Sequence, residues 1–280
     1  MSHVSFGFKT AQQHTSFAEI SQVWREGEQI EAYEHAWLFD HFNPLPDPVG
    51  PCGEGWSLLA ALAARTSRLR LGLMVTGNTY RHPAVLAHIV ATVDEISGGR
   101  LDFGFGAGWN VYEHESMGLP LFGPGERIRR WGEACLLIKK LCAEETVDFA
   151  GRYYRLTGAR LDPKPVQRPH PPFVLGAKGE WALRVVAEHA DVWNFAGGEL
   201  DEFRTRKGRL EAHCAEIGRD PAEITLSGQF FVDLADLGAT RERVGRFIEA
   251  GVRHVVLIVM PPVAPGTLAR LADEVIAPLR

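Results

Sequence analysis

The residues best suited to chemistry sit where apolar runs give way to polar ones. Ala36 to Phe39 leads into Asp40 and His41. A carboxyl beside an imidazole suits acid/base work or hydrogen bonding, because histidine's ordinary pKa lies near neutrality. A strand-end aspartate also commonly caps a loop, so the pair by itself leaves both readings open. Leu101 to Phe105 opens into Gly104, Gly106 and Gly108, and delivers Ala107, Trp109, Asn110, Glu113 and His114. Glycine lets backbone approach a ligand closely because no Cβ intervenes. The spacing is not a dinucleotide fingerprint, since Trp109 stands where G-x-G-x-x-G needs its third glycine. Glu113-His114-Glu115 reads as a solvated, mixed-charge rim. Gly176-Ala177-Lys178-Gly179 lies between a strand pattern and a helix pattern. Free N–H groups at a helix start, with a lysine, would hold a phosphate. A tight turn with a surface lysine has the same pattern. Lys9 and Thr10 end the first apolar run, and Thr76 to Asn78 end the third.

These ends must be positioned by regular elements. Short apolar runs are expected as strands at Val4–Phe8, Ala36–Phe39, Leu69–Val75, Leu101–Phe105, Phe173–Leu175, Asp191–Phe195, Ile224–Phe231 and His254–Val259. Helical periodicity falls between them. Ser16 and Glu19 form a capping box before Phe17, Ile20 and Trp24. His82-Pro83 starts another helix, with proline at the first helical position, and Arg81-His82 reads as its cap. Further helices are expected over Trp56–Thr66, Glu126–Cys142, up to His189, Glu199–Ile217, Arg241–Ala250 and Thr267–Leu279. Eight strands alternating with eight helices predict a (β/α)8 TIM barrel. A doubly wound sheet is the alternative. Residues 1–280 read as a single domain, with a proline-rich insertion and a small hairpin over 143–172. In a barrel the loops after the strands share one face, so these polar ends would converge.

Composition narrows the function. With 280 residues, 45% of them hydrophobic, the chain has ample material for a core. A net charge of -5 gives no basic footprint for nucleic acid. No apolar run is long enough for a membrane span, and the N-terminus lacks a signal-peptide pattern. The four cysteines form no C-x-x-C, which points to a reducing, cytoplasmic setting. The eleven histidines show no metal-ligand spacing, so no metal is expected. The strand ends hold much glycine and few charges. They suit a large planar ligand carrying a phosphate.

Three stretches in this order, WLFDHFNP, LRLGLMVTGNTYRHPAVLA and ISGGRLDFGFGAGWNVYEHESMGLPL, resemble the bacterial luciferase-like monooxygenase superfamily. More narrowly, they resemble its branch that uses the deazaflavin coenzyme F420. The likeness continues through FAGRYYRL and KPVQRPHPPFVLGAKGEWALRVVAEHADVWN. It implies a (β/α)8 barrel with insertions, luciferase-like in form, and an oxidoreductase passing a hydride between the deazaflavin ring and a small organic substrate. FMN with O2, served by a flavin reductase partner, is the alternative, and a non-catalytic cofactor-binding barrel is another. The resemblance implies that Asp40 and His41 face the reacting edge, with His41 as proton donor or polariser and Glu113 as a further catalytic candidate. It places a bulge with a non-prolyl cis peptide at Met74-Val75, behind the ring, next to Thr76. Gly106, Ala107, Gly108, Trp109 and Asn110 would lie along the ring, Gly176 to Gly179 would hold the phosphate, and Lys9 and Thr10 would touch the cofactor edge. Sugar-phosphate dehydrogenases of the family carry a glutamate where this chain has Trp109. An apolar or conjugated substrate is therefore expected instead. The family also implies a homodimer through the helices near the second and third strands.

Overall fold

Short β-branched and aromatic runs, apolar on both faces, are the strands of a parallel sheet covered by helices. In the computed structural model, which describes residues 3–280, they close into a barrel. The chain order begins β1 (Ser5–Thr10), α1 (Phe17–Gln29), β2 (His35–Leu38), α2 (Gly55–Ala63), β3 (Arg70–Leu73), β4 (Thr76–Gly77), α3 (Pro83–Ser97) and β5 (Phe103–Gly106). It continues with α4 (Val111–Met117), α5 (Pro124–Ala143), β6 (Val147–Ala150), β7 (Arg155–Ala159), β8 (Phe173–Gly176) and α6 (Glu180–His189). It ends with β9 (Val192–Phe195), α7 (Leu200–Glu216), β10 (Thr225–Phe231), α8 (Leu237–Glu249), β11 (His254–Val259) and α9 (Thr267–Leu271).

The sheet order is β3-β2-β1-β11-β10-β9-β8-β5-β4. β4 continues β3 beyond Met74-Val75, whose peptide bond is cis. It pairs with β5 at Thr76–Phe105 and Gly77–Gly106, while Leu71 bridges to Leu101 lower down. These contacts close the ring, so the expected third strand is present in two pieces around a bulge. The fold is a (β/α)8 barrel, and the doubly wound alternative is set aside.

Alternation along each strand sorts side chains between two cores. Phe6 and Phe8 on β1 point outward, where Phe8 meets Trp24 and Tyr33 edge-on at 6.0 and 5.3 Å. Inward positions carry Trp37, Met74, Val174 and Val256, a smaller cluster inside the ring. Glycines opposite them make room. A Cβ on Gly7 would stand 1.8 Å from His35 Nδ1, and one on Gly72 would stand 2.5 Å from the Trp37 ring.

The lower barrel is polar. His35 and His254 stack at 3.9 Å. Trp37 Nε1 donates to His35 Nδ1 at 2.7 Å. Burial drives both imidazoles toward the neutral form, His254 down to about 3 and His35 well below its ordinary value. Arg70 and Asp102 close the bottom, and Gln167 joins them at 3.0 Å from Arg70. Gln167 also donates to Asp94 through its side chain at 2.7 Å. The 143–172 segment is thereby tied beneath the barrel, and its β6 and β7 form an antiparallel hairpin.

Candidate active site

The strand ends meet at a cavity of about 710 Å³ at the C-terminal mouth of the barrel. Its wall takes Lys9 from β1, His41 after β2, and Met74, Val75 and Gly77 from the bulge. Gly108 and Trp109 follow β5, and Gly176 to Lys178 follow β8. Asn194, Ala196, Gly197, Gln229, Phe231 and Ile258 complete it from β9, β10 and β11.

One side of the cavity is largely backbone, with Val75 and Tyr80 as its side chains. A Cβ on Gly77 would lie 3.0 Å from the Tyr80 ring and 3.5 Å from Gly108 Cα, and one on Gly176 would lie 3.4 Å from Val75. Gly77, Gly108, Gly176 and Val75 thus form one continuous wall. Gly108 has φ +84, and a Cβ there would meet Thr79 Oγ1 at 2.2 Å, so no other residue suits the position.

His41 is held by a buried carboxylate. Its Nδ1 lies 2.9 Å from Glu113 Oε2, and Tyr80 OH donates to the same oxygen. The backbone N–H groups of Phe42 and Asn43 donate to Oε1 at 2.6 and 3.1 Å. Burial alone would raise the Glu113 pKa, but these bonds, led by those of His41 and Tyr80, hold it down at about 2. An ionised carboxylate only accepts, so His41 carries its proton on Nδ1. Nε2 is the ring nitrogen left for a ligand. Trp109, 60% exposed, meets the His41 ring edge-on at 5.4 Å.

Asp40 is placed elsewhere. It is buried and bidentate to Arg81, at 2.6 and 3.1 Å, and Arg81 also holds Glu54 at 2.6 Å. Burial raises the Asp40 pKa against the pull of Arg81. This pair ties the β2 loop to the start of α3 and lies off the cavity wall. Thr10 points outward and accepts from Trp24 Nε1 at 3.0 Å. Thr76 is buried in the bulge strand, and a Cβ on Gly106 would meet Val75 Cγ2 at 2.8 Å. Asn110 caps α4, its side chain accepting from Glu113 N at 3.3 Å. Gly179 is the N-cap of α6, with no side chain bonded to the free N–H groups there. Ala107 is half-buried beside the wall. The expected solvated rim at Glu113-His114 is instead buried, with His114 bonded to Thr79 Oγ1 at 2.7 Å and stacked on Tyr80 at 5.2 Å.

Sequence reasoning missed Tyr80, Asn194, Gln229, Phe231 and Ile258, and read Arg81 only as part of a helix cap. Two carried a signal. Asn194 is a lone amide in the apolar β9, and Gln229 lies two residues after Ser227 on β10, on the same face. Beneath the cavity these residues form a chain of hydrogen bonds. Lys9 Nζ donates to Met74 O and to Gln229 Oε1, both at 3.0 Å. Gln229 donates to Asn194 Oδ1 at 2.7 Å, Asn194 to Ser227 Oγ at 2.9 Å, and Ser227 meets His254 Nδ1 at 2.8 Å.

Residues 2–261 match the model of the luciferase-like monooxygenase family. The chain belongs to this family. It is 30% identical over 203 residues to the F420-dependent glucose-6-phosphate dehydrogenase of Microbacterium testaceum, covering 72% of this chain and 59% of that one. It is 30% identical over 173 residues to the FMNH(2)-dependent dimethylsulfone monooxygenase of Pseudomonas putida, covering 59% of this chain and 47% of that one. The chain thus spans about half the length of these curated relatives. Among solved structures, an F420-dependent secondary alcohol dehydrogenase in complex with an F420-acetone adduct superposes with a TM-score of 0.88. It is 17% identical and covers 99% of both chains, a likeness of fold.

Proposed function

We propose that this family member is an oxidoreductase that binds coenzyme F420 in the barrel mouth and acts on a small apolar or conjugated substrate. The observation that carries the reading is the wall of Gly77, Gly108, Gly176 and Val75 beside His41. A planar ring needs a flat face, and this wall of glycine backbone and Val75 supplies one next to an oriented imidazole. The cavity's size and the uncapped start of α6 at Gly179, beside Lys178, suit a ring carrying a phosphate. When bound, such a ring gives or accepts a hydride.

The protein's part is orientation and proton handling. Glu113 fixes the His41 tautomer, and Nε2 faces the cavity to hold or move a proton at the reacting substrate oxygen. Trp109 and Phe231, which line the cavity, are 60% and 61% exposed, an apolar rim that favours an apolar substrate. FMN is the second reading, supported by the FMNH(2)-dependent relative, and would draw on a flavin reductase partner.

The deciding experiment compares binding of coenzyme F420 and FMN by fluorescence quenching, followed by a substrate panel with the tighter ligand. Micromolar or tighter F420 binding is expected. Preference for FMN would move the protein to the second reading, and failure of both to bind would overturn the cofactor reading.

We infer a homodimer as well. The outer faces of α2 and α3 enclose an open groove of about 580 Å³ lined by Trp56, Ala60, Ile89 and Val93. Val85 on α3 is 56% exposed. A second copy is the natural cover for such a face.

A further inference from the structure

Lys9 is an ammonium in the barrel, and among the described residues no carboxylate pairs with it. Its partners are the Met74 carbonyl and the Gln229 amide oxygen, each at 3.0 Å, and neither carries a charge. Other titratable groups on the cavity wall are His41 after β2, Tyr80 after β4 and Lys178 after β8. From β10 and β11 the wall receives Gln229, Phe231 and Ile258, all uncharged. Glu113 is spent on His41, Tyr80 and two backbone N–H groups. Below Lys9, His254 and His35 are neutral.

The amides fix which way Lys9 acts. Lysine only donates, so Gln229 turns its oxygen to it and its nitrogen to Asn194, and Asn194 in turn donates to Ser227. This polarised chain sets the ammonium in place with two N–H bonds used. The third N–H remains for the cavity that Lys9 lines. A half-buried, uncompensated charge such as Lys9 is costly and is retained where a ligand supplies the opposite charge.

We propose that Lys9 is the counter-ion of the bound ring, pairing with an anionic oxygen or nitrogen on its most deeply inserted edge, so that the ring is held in its anionic form. This rests on the cofactor reading above. Burial lowers the Lys9 pKa to about 8, which makes the pairing sensitive to pH in an accessible range. Below that value the ammonium attracts the anion. Above it the neutral amine only donates a hydrogen bond, and the attraction fades.

The test uses the intact protein with coenzyme F420 and with FMN, measuring Kd by fluorescence quenching from pH 6.5 to 9.5 and the visible absorbance of the bound ring. For the ring that binds, wild-type affinity is expected to fall as pH rises through about 8. Lys9→Met should bind about tenfold more weakly at pH 7 and converge on wild type at high pH. Its bound ring should revert toward the neutral ring's spectrum. Lys9→Arg should retain tight binding and lose the pH dependence. Gln229→Glu keeps the lysine but gives it an internal partner, and should weaken binding as Lys9→Met does. Thermal unfolding followed by circular dichroism confirms that each variant is folded. Equal Kd and identical ring spectra in wild type, Lys9→Met and Gln229→Glu would overturn the inference while leaving the cofactor reading intact. Failure of wild type to bind either ring would overturn both.

Discussion

At the scale of single residues, the site turns on which carboxylate serves His41. The neighbour in sequence, Asp40, is taken by Arg81. The partner in space is Glu113, seventy-two positions along the chain. Both residues lie in the loop beyond β2, which ends at Leu38, and the path of that loop turns their side chains to different partners. Glu113→Gln replaces an acceptor with a group that also donates, and it weakens the hold on the His41 tautomer. A fall in the hydride-transfer rate of about a hundredfold is expected, measured by stopped-flow bleaching of the bound ring with the substrate the panel returns. The same residue predicts a pH effect on folding. Its native pKa of about 2 lies below the ordinary 4.5, so the unfolded chain binds the proton more tightly. The stabilisation is complete above 4.5 and disappears as pH falls toward 2. Urea midpoints measured across that window should flatten in Glu113→Gln; an unchanged slope would show that the carboxylate is not held as described.

At the scale of elements, the bulge between β3 and β4 organises the wall by pressing on β5. A Cβ on Gly104 would stand 1.7 Å from Leu73 O, a backbone atom that cannot swing away. Gly104→Ala should cost more than about 3 kcal/mol in urea unfolding. Gly179, whose Cβ would meet nothing within 4 Å, should accept alanine within about 0.5 kcal/mol. Comparable losses at both positions would contradict this contrast. Some elements were hidden from periodicity. The seven residues of α4 are marked only by Asn110 at one end and Gly118, with φ +67, at the other. Their alternating charges conceal that Glu113 and His114 face inward. The expected last helix over Thr267–Leu279 is helical in pieces, α9 giving way to a wider turn over Ala272–Ile276 and a tighter one at Ala277–Leu279, where Pro278 interrupts the bonding. The capping box at Ser16 and Glu19 formed as its spacing required, because both bonds are local.

At the scale of the molecule, the barrel's polar lower half adds a second acid response. His35 and His254 are neutral when folded and free to protonate when unfolded. Below the ordinary 6.5 the unfolded chain gains protons first, so stability present above 6.5 is lost as pH falls toward about 3. Urea midpoints should therefore decline from pH 6.5 downward, before Glu113 contributes, and His254→Asn should lessen that early decline. The apolar groove on α2 and α3 gives a separate expectation. Sedimentation equilibrium should return twice the 31.0 kDa chain mass, and Ile89→Asp should shift it toward the monomer. A monomer mass in wild type at micromolar concentration would refute the dimer.

The sequence by itself determined the alternation of strands and helices, the glycine-rich strand exits and the family. Each of these depends on residue type at short range: β-branched runs, local caps, and glycine where backbone must approach closely. Tertiary structure alone decided which polar residues meet. Closing the ring brought β1 beside β11 and carried Lys9 to Gln229, 220 positions away. It seated Glu113 behind His41 and turned Asp40 away to Arg81. Linear spacing does not encode these pairings, because strand parity and barrel closure fix which side chains point inward and which of them share one cavity.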